Sequence, residues 1–181
     1  MIICNLMHAK IRDGAMDELS ADSFGAGRPS VLIVDDEAGI RKLLTTALNE
    51  NGYSTDSAEN GAEAVKKANE RYYNLALIDI FLPDINGVEL LSKFKQTGPR
   101  TRKIIMTGNP SLQNAVEALN KGADAYIMKP LDLEKVFATL EEQLNKQKKQ
   151  KETMVQLLER GRIRARIEVL SRDSTETPDI R

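Results

Sequence analysis

The chain has 181 residues, 26 of them basic and 27 acidic, for a formal net charge of −1. That length suits one domain of ordinary size with extensions, and the even charge supplies no global field to draw nucleic acid or an anionic membrane. A single cysteine excludes an internal disulfide or a cysteine-based metal site, and no apolar run approaches the ~18 residues needed to span a bilayer.

Tryptophan is absent, so aliphatic side chains must build the core. The opening MIICNLM is too short for a signal-peptide core and has no basic residues before it. A cytoplasmic protein with no membrane partner is the expectation, in keeping with a lone thiol.

Residues 1–29 hold no sustained period and end in SFGAGRPS, a Gly/Pro/Ser cluster that reads as a linker. They are expected to be a flexible N-terminal extension; Cys4 and His8 are two soft ligands and do not make a site. Residues 30–144 then alternate strand and helix. VLIVDD, LALIDI, KIIMTG and AYIMKP are short apolar runs of the kind made by parallel strands covered on both faces. GYSTDSA is polar, as suits a strand at an exposed sheet edge.

Three helical stripes lie between the strands: Ile40, Leu43, Leu44, Ala47, Leu48; then Leu112, Ala115, Val116, Leu119; then Leu133, Val136, Phe137, Leu140. Weaker helices are predicted over about 60–71 and 86–96. Strict alternation gives an α/β fold, doubly wound with right-handed crossovers. No G-x-G-x-x-G follows the first strand, which disfavours a dinucleotide site. The remaining arrangement is a flavodoxin-like five-stranded parallel sheet of order 2-1-3-4-5, which sets the polar strand on an edge.

Ligands in such folds bind beyond the carboxyl ends of the strands. Asp35 and Asp36 end the first strand, Asp79 the third, Thr107 the fourth and Lys129 the fifth. Singly, each has a plain reading: Asp35 as a helix N-cap, Thr107 as a turn residue, Lys129 as a loop end. Together they suggest a site. Clustered carboxylates repel unless a cation intervenes, and a hard, oxygen-liganded ion such as Mg2+ fits three of them. Mg2+, Lys129 and the Thr107 hydroxyl around one carboxylate suit phosphoryl oxygens. Asp79 is then the nucleophile, forming an aspartyl phosphate.

The ordered motifs VLIVDDE, LALIDIFLPDINGVEL, KIIMTGNP and GADAYIMKPLD resemble the receiver domain of two-component response regulators over residues 30–144. The resemblance implies that Asp79 accepts a phosphoryl group from a phosphohistidine on a sensor histidine kinase or phosphotransfer protein. It implies Asp36 as a direct Mg2+ ligand, Asp35 through water, and the Phe81 backbone carbonyl as another. Thr107 and Lys129 would hold phosphoryl oxygens, Tyr126 would occupy the rotamer-switch position, and Lys129–Pro130 would be cis.

Phe81 is bulky at a position that influences dephosphorylation in this family, and Gly108 after Thr107 leaves access to the site. Haloacid-dehalogenase-type phosphatases share an Asp nucleophile, Mg2+, a hydroxyl residue and Lys. They carry a second Asp two positions on, where this chain has Phe81, so an enzyme acting on outside esters is disfavoured. The protein implied is a phosphoacceptor that catalyses only its own phosphorylation and dephosphorylation, and switches partner or self-association.

Residues 145–181 read as a basic helical C-terminal extension, and no output domain is recognisable in them. Leu133, Phe137, Leu140, Leu144, Gln147, Lys151, Met154 and Leu158 keep a heptad-like 4-3 spacing, with polar residues in the middle slots. A coiled-coil homodimer and a solitary helix both remain open. In the dimer, Leu140, Leu144, Met154 and Leu158 would face the partner. Gly161 is expected to interrupt the helix, RIRARIEV suits strand or helix, and RDSTETPDIR reads as a frayed end. From Lys146 to Arg166 there are eight basic and two acidic residues. Receiver-regulated binding of nucleic acid or an acidic partner is the alternative reading, with nucleic acid disfavoured by the lack of aromatics.

Overall fold

The computed structural model describes residues 27–94, 100–108 and 112–173. Five strands, β1 (Ser30–Val34), β2 (Ser54–Ala58), β3 (Leu75–Asp79), β4 (Arg102–Thr107) and β5 (Ala125–Met128), alternate with five helices. The helices are α1 (Ala38–Glu50), α2 (Gly61–Glu70), α3 (Gly87–Leu90), α4 (Leu112–Asn120) and α5 (Leu133–Asp173). Every strand pair is parallel and the order is β2-β1-β3-β4-β5. The apolar strands are interior or tip-bearing, and the polar STDSA strand sits on an edge, as its composition predicts.

Because side chains alternate along a strand, the sheet feeds two separate cores. Val31, Ile33, Leu75, Leu77, Ile104 and Met106 pack with Leu44 and Leu48 of α1 and Val136 and Leu140 of α5. Leu32, Val34, Ala76, Ile78 and Ile105 pack against α2, α3 and α4 on the opposite face. Both faces are covered, which is why the strands read as continuous apolar runs.

Four details differ from the sequence reading. Within the described part of the predicted 86–96 helix, regular helix covers Gly87–Leu90 and then tightens into turns, with Ser92 N and Lys93 N donating to the carbonyls of Glu89 and Leu90, while residues 95–96 lie outside the described residues. Ser92 Oγ also donates to the Glu89 carbonyl, competing with the helical ladder. In α4 it is Ala118 that is buried, while Val116 and Leu119 are exposed. Small residues let this helix lie close to the sheet and turn its larger ones outward. Leu43 of α1 is likewise exposed.

The largest difference lies in α5. It runs unbroken for 41 residues through Gly161, since one glycine costs only about 1 kcal/mol in a run of good helix formers. Leu140 is fully buried and Leu144 packs on the same core, so neither is left for a partner helix. Gln147 is also buried: its amide donates to the Tyr72 hydroxyl and to the carbonyls of Asn74 and Arg100, and accepts from Asn74 Nδ2. A polar residue in the middle of the seam is thus an anchor to the base of the sheet. The expected N-terminal extension and the frayed end lie almost wholly outside the described residues.

Candidate functional site

The site grows from the register of β1, β3 and β4. Val34 pairs with Ile78, and Asp79 with Met106, so Asp35 and Asp79 stand at one level and Thr107 one residue beyond it. Asp35, Asp36 and Asp79 offer carboxylate oxygens that all lie within 4.8 Å of one another. Asp35 is fully buried, Asp79 nearly so, and Asp36 is exposed at the rim.

Lys129 arrives from the end of β5, whose backbone stays on the sheet: Lys129 N donates to the Thr107 carbonyl at 2.7 Å. Its ammonium lies 2.8 Å from Asp35 Oδ2, 3.3 Å from Asp79 Oδ1 and 3.5 Å from Glu37 Oε1. The Lys129–Pro130 peptide is cis. One cation therefore serves three carboxylates. Burial raises the pKa of Asp79 and the neighbouring Asp35 adds to this, while Lys129 pulls it back without cancelling the rise. Burial alone would lower the pKa of Lys129, but Asp35 and Asp79 outweigh it and raise it. Asp35 Oδ2 and Asp79 Oδ1 are buried without a well-aligned hydrogen-bond donor among the described residues. Such oxygens fit a divalent ion, since a hard cation takes carboxylates and leaves other positions to water.

The break after Asp79 has a mechanical reason. The chain turns through Pro83 and returns so that Gly87 N donates to the Ile80 carbonyl at 2.8 Å, with Phe81 bridging antiparallel to Asn86. A Cβ at Gly87 would run into the backbone carbonyl of Asp79. Only glycine lets the loop close this tightly over the strand tip. Asp84 then caps α2, accepting from Gly61 N and Ala62 N at 2.8 Å each, and the bond from Gly61 leads in holding its carboxyl below the usual range. The residues of LPDING thus tie the acceptor loop to its neighbour helix.

The remaining expected residues fall around this centre. Thr107 is fully buried at the tip of β4. Tyr126 is half-buried against the core on the α2–α4 side, and its hydroxyl is buried without a hydrogen-bond partner among the described residues. Phe81 stands beside the acceptor with its side chain exposed. A Cβ at Gly108 would meet nothing within 4 Å among the described residues.

Two contributors were not read from the sequence. Glu37 reaches Lys129, and Arg41 donates from Nη1 to the carbonyls of Asp35 and Asp36 at 2.7 and 2.8 Å. The signal available was the spacing of Glu37 and Arg41, four apart at the start of a predicted helix that follows the acid pair.

A protein-family model for the response regulator receiver domain matches residues 31–141. The chain belongs to that family. This receiver is 39% identical over 114 residues to the transcriptional regulatory protein ZraR of Klebsiella oxytoca, covering 63% of the chain and 26% of ZraR. It therefore spans about a quarter of that relative. A CheY-like receiver domain protein from Methanospirillum hungatei superposes with TM-score 0.65 at 40% identity, covering 68% of this chain and 99% of that one. A response regulator from Burkholderia pseudomallei, solved with a phosphorylated aspartic acid, a calcium ion and citrate, superposes at TM-score 0.60 and 28% identity. That match covers 68% of this chain and 72% of the other.

Proposed function

We propose that this receiver acts in the cytoplasm and takes a phosphoryl group onto Asp79 from a phosphohistidine of a sensor histidine kinase or phosphotransfer protein. The observation that carries the reading is the convergence of three carboxylates, one lysine and one threonine at adjoining strand tips. An Asp79 carboxylate oxygen attacks phosphorus, a P–O bond forms, the P–N bond breaks, and the imidazole leaves carrying a proton. Asp36 directly, Asp35 through water, Asp79 and the Phe81 carbonyl would hold Mg2+, which supplies charge neutralisation for the incoming phosphoryl oxygens. Lys129 contributes the second positive charge and Thr107 a hydroxyl donor.

The lysine has to be shared. Before phosphorylation Lys129 balances Asp35 and Asp79; afterwards it meets the phosphoryl oxygens instead. Thr107 shifts toward the same oxygens and opens room for the Tyr126 ring, so phosphate favours one of two packings. The face around α4 and β5 responds, and it already exposes Val116, Leu119 and Met128 to a kinase, an output partner or a second copy.

Incubation with acetyl phosphate and Mg2+ tests this reading. Intact-mass and peptide mass spectrometry should find one phosphoryl group on Asp79, labile in strong acid and in base as an acyl phosphate is, and absent in Asp79→Asn. Label on a different residue, or none with Mg2+ present, overturns it.

A further inference from the structure

The body of the protein stops touching α5 near Gln147 and Lys151, and every described residue from Glu152 to Ile163 is exposed. That segment is not a plain solvated helix. Met154, Val155, Leu157 and Leu158 are 44–58% exposed, and Ile163 follows at 61%. Met154 meets Leu157 and Leu158 at the i, i+3, i+4 spacing, and Val155 meets Leu158 at i, i+3, so the four form one continuous patch. Lys148, Lys149, Lys151 and Glu152 lie before it, and Glu159, Arg160 and Arg162 after it, so each end keeps a net positive charge. A helix standing off the body with large apolar residues in water is built for a partner.

The charges decide which partner. Two copies lying parallel would set lysines on lysines and arginines on arginines. Antiparallel copies would set lysines on arginines. Both registers oppose net positive ends, which Glu152 and Glu159 only partly offset, and this costs affinity. Nucleic acid would satisfy the cations but leave the patch in water, and residues 146–163 offer no aromatic side chain for stacking. An interfacial membrane helix buries an apolar face along its length; this patch covers little more than one turn.

We propose that residues 148–163 of α5 dock an amphipathic protein segment whose short apolar stripe carries carboxylates at both ends. Apolar contact with Met154, Val155, Leu157 and Leu158 supplies the contact area, and the flanking cations set orientation and exclude basic competitors. Gln147, fixed to the base of the sheet, anchors the docking segment to the receiver. The surface exists without a phosphoryl group, so this inference stands apart from the chemistry at Asp79.

Three labelled peptides of equal length test it against the full chain by fluorescence anisotropy. One has a leucine stripe flanked by glutamates, one has the same composition with the stripe scrambled, and one has the stripe flanked by lysines. The first should bind at least about tenfold tighter than either control, equivalent to ~1.4 kcal/mol. It should weaken as salt rises. Met154→Gln with Leu158→Gln, which keeps helix-forming residues, should remove the advantage while circular dichroism stays unchanged. Equal binding of the scrambled peptide would reduce the surface to mere charge and overturn the proposal. Tighter binding to phosphatidylserine vesicles or to duplex DNA overturns it in favour of those ligands. Self-association lost in the Gln variant overturns it in favour of a second copy.

Discussion

The two ends of this sheet are both polar and both largely buried, yet they are organised in opposite ways. At the base, Asp124 accepts from Arg100 and Arg102, each at 2.7 Å, and from Lys103 N at 2.9 Å. Ser30, Asn74, Tyr72 and Gln147 knit the neighbouring strand starts together. At the tips, Asp35, Asp79 and Glu37 converge on one ammonium, and Asp35 Oδ2 and Asp79 Oδ1 lack aligned donors among the described residues. The base neutralises its buried carboxylate with two guanidinium groups and a backbone N–H, leaving Arg102 Nε without a partner among the described residues, and so stabilises the fold. The tips leave theirs unbalanced, which raises the cost of the empty site and creates room for ligand energy. The same buried aspartate is thus structural at one end and reactive at the other, according to its partners.

Breaking the base should cost most. Asp124→Ala strands two guanidinium groups, Arg102 being nearly buried and Arg100 partly in water. A loss of about 3 kcal/mol in urea denaturation is expected, at the low end for a broken buried pair because of that exposure. The carboxyl of Asp124 lies below its ordinary range despite burial, through the bonds from Lys103 N, Arg100 and Arg102. Its contribution is therefore present above the ordinary carboxylate pKa and lost as pH falls through the lowered one. A loss under 1 kcal/mol would mean the base is not the stabilising end.

Gln147→Ala is the next largest. It removes one amide and leaves the carbonyls of Asn74 and Arg100 with one donor fewer, for an expected loss of about 2 kcal/mol. Amide exchange in α5 near residue 147 should accelerate while that around Lys129 does not.

At the tips the sign should reverse. Asp79→Asn removes one buried charge, leaves Lys129 paired with Asp35, and should stabilise the metal-free protein by roughly 1 kcal/mol at neutral pH. Added Mg2+ should stabilise the wild type more than this variant. If Asp79→Asn destabilises the metal-free fold, the two ends are alike after all.

These outcomes bear on what the sequence could say. The strand tips were legible because a charge closing an apolar run has few structural explanations, and the fold order followed from one polar edge strand. Gln147 was not legible. A glutamine in an apolar seam looks like a weak point in a coiled coil, and only the fold brings Asn74 and Arg100 within reach of its amide. Val116 and Leu119 misled for the opposite reason: periodicity marks an apolar face but cannot tell the sheet from solvent when Ala118 offers the closer approach. The spacing of Glu37 and Arg41 hinted at a pair, but Arg41 in fact reaches the backbone carbonyls of Asp35 and Asp36, which a residue pattern does not specify.

The smallest expected effect is alkaline. Burial pushes the Tyr72 hydroxyl up to about 12, with the Gln147 contact partly offsetting it, and burial also raises Tyr73. Both stay protonated in the folded chain while the unfolded chain ionises near pH 10. Their stabilising contribution is thus intact below pH 10 and declines as pH climbs toward 12. Tyr72→Phe should flatten part of that decline, measured as the denaturation midpoint across the range. An unchanged slope would detach Tyr72 from the base network.

Helix α5 starts four residues after Lys129, runs along the sheet from its tips to its base, is pinned at Gln147 and continues to Asp173. Mechanically it is a rod with a fulcrum. The arm beyond Gln147 has 26 residues, Asp173 minus Gln147, or about 39 Å at the helical rise. A tilt of about 5° about that point, too slight to disturb the core, would sweep the far end by about 3 Å. A displacement of atomic size among the carboxylates could therefore reach the far arm enlarged, with no hinge or unfolding between them.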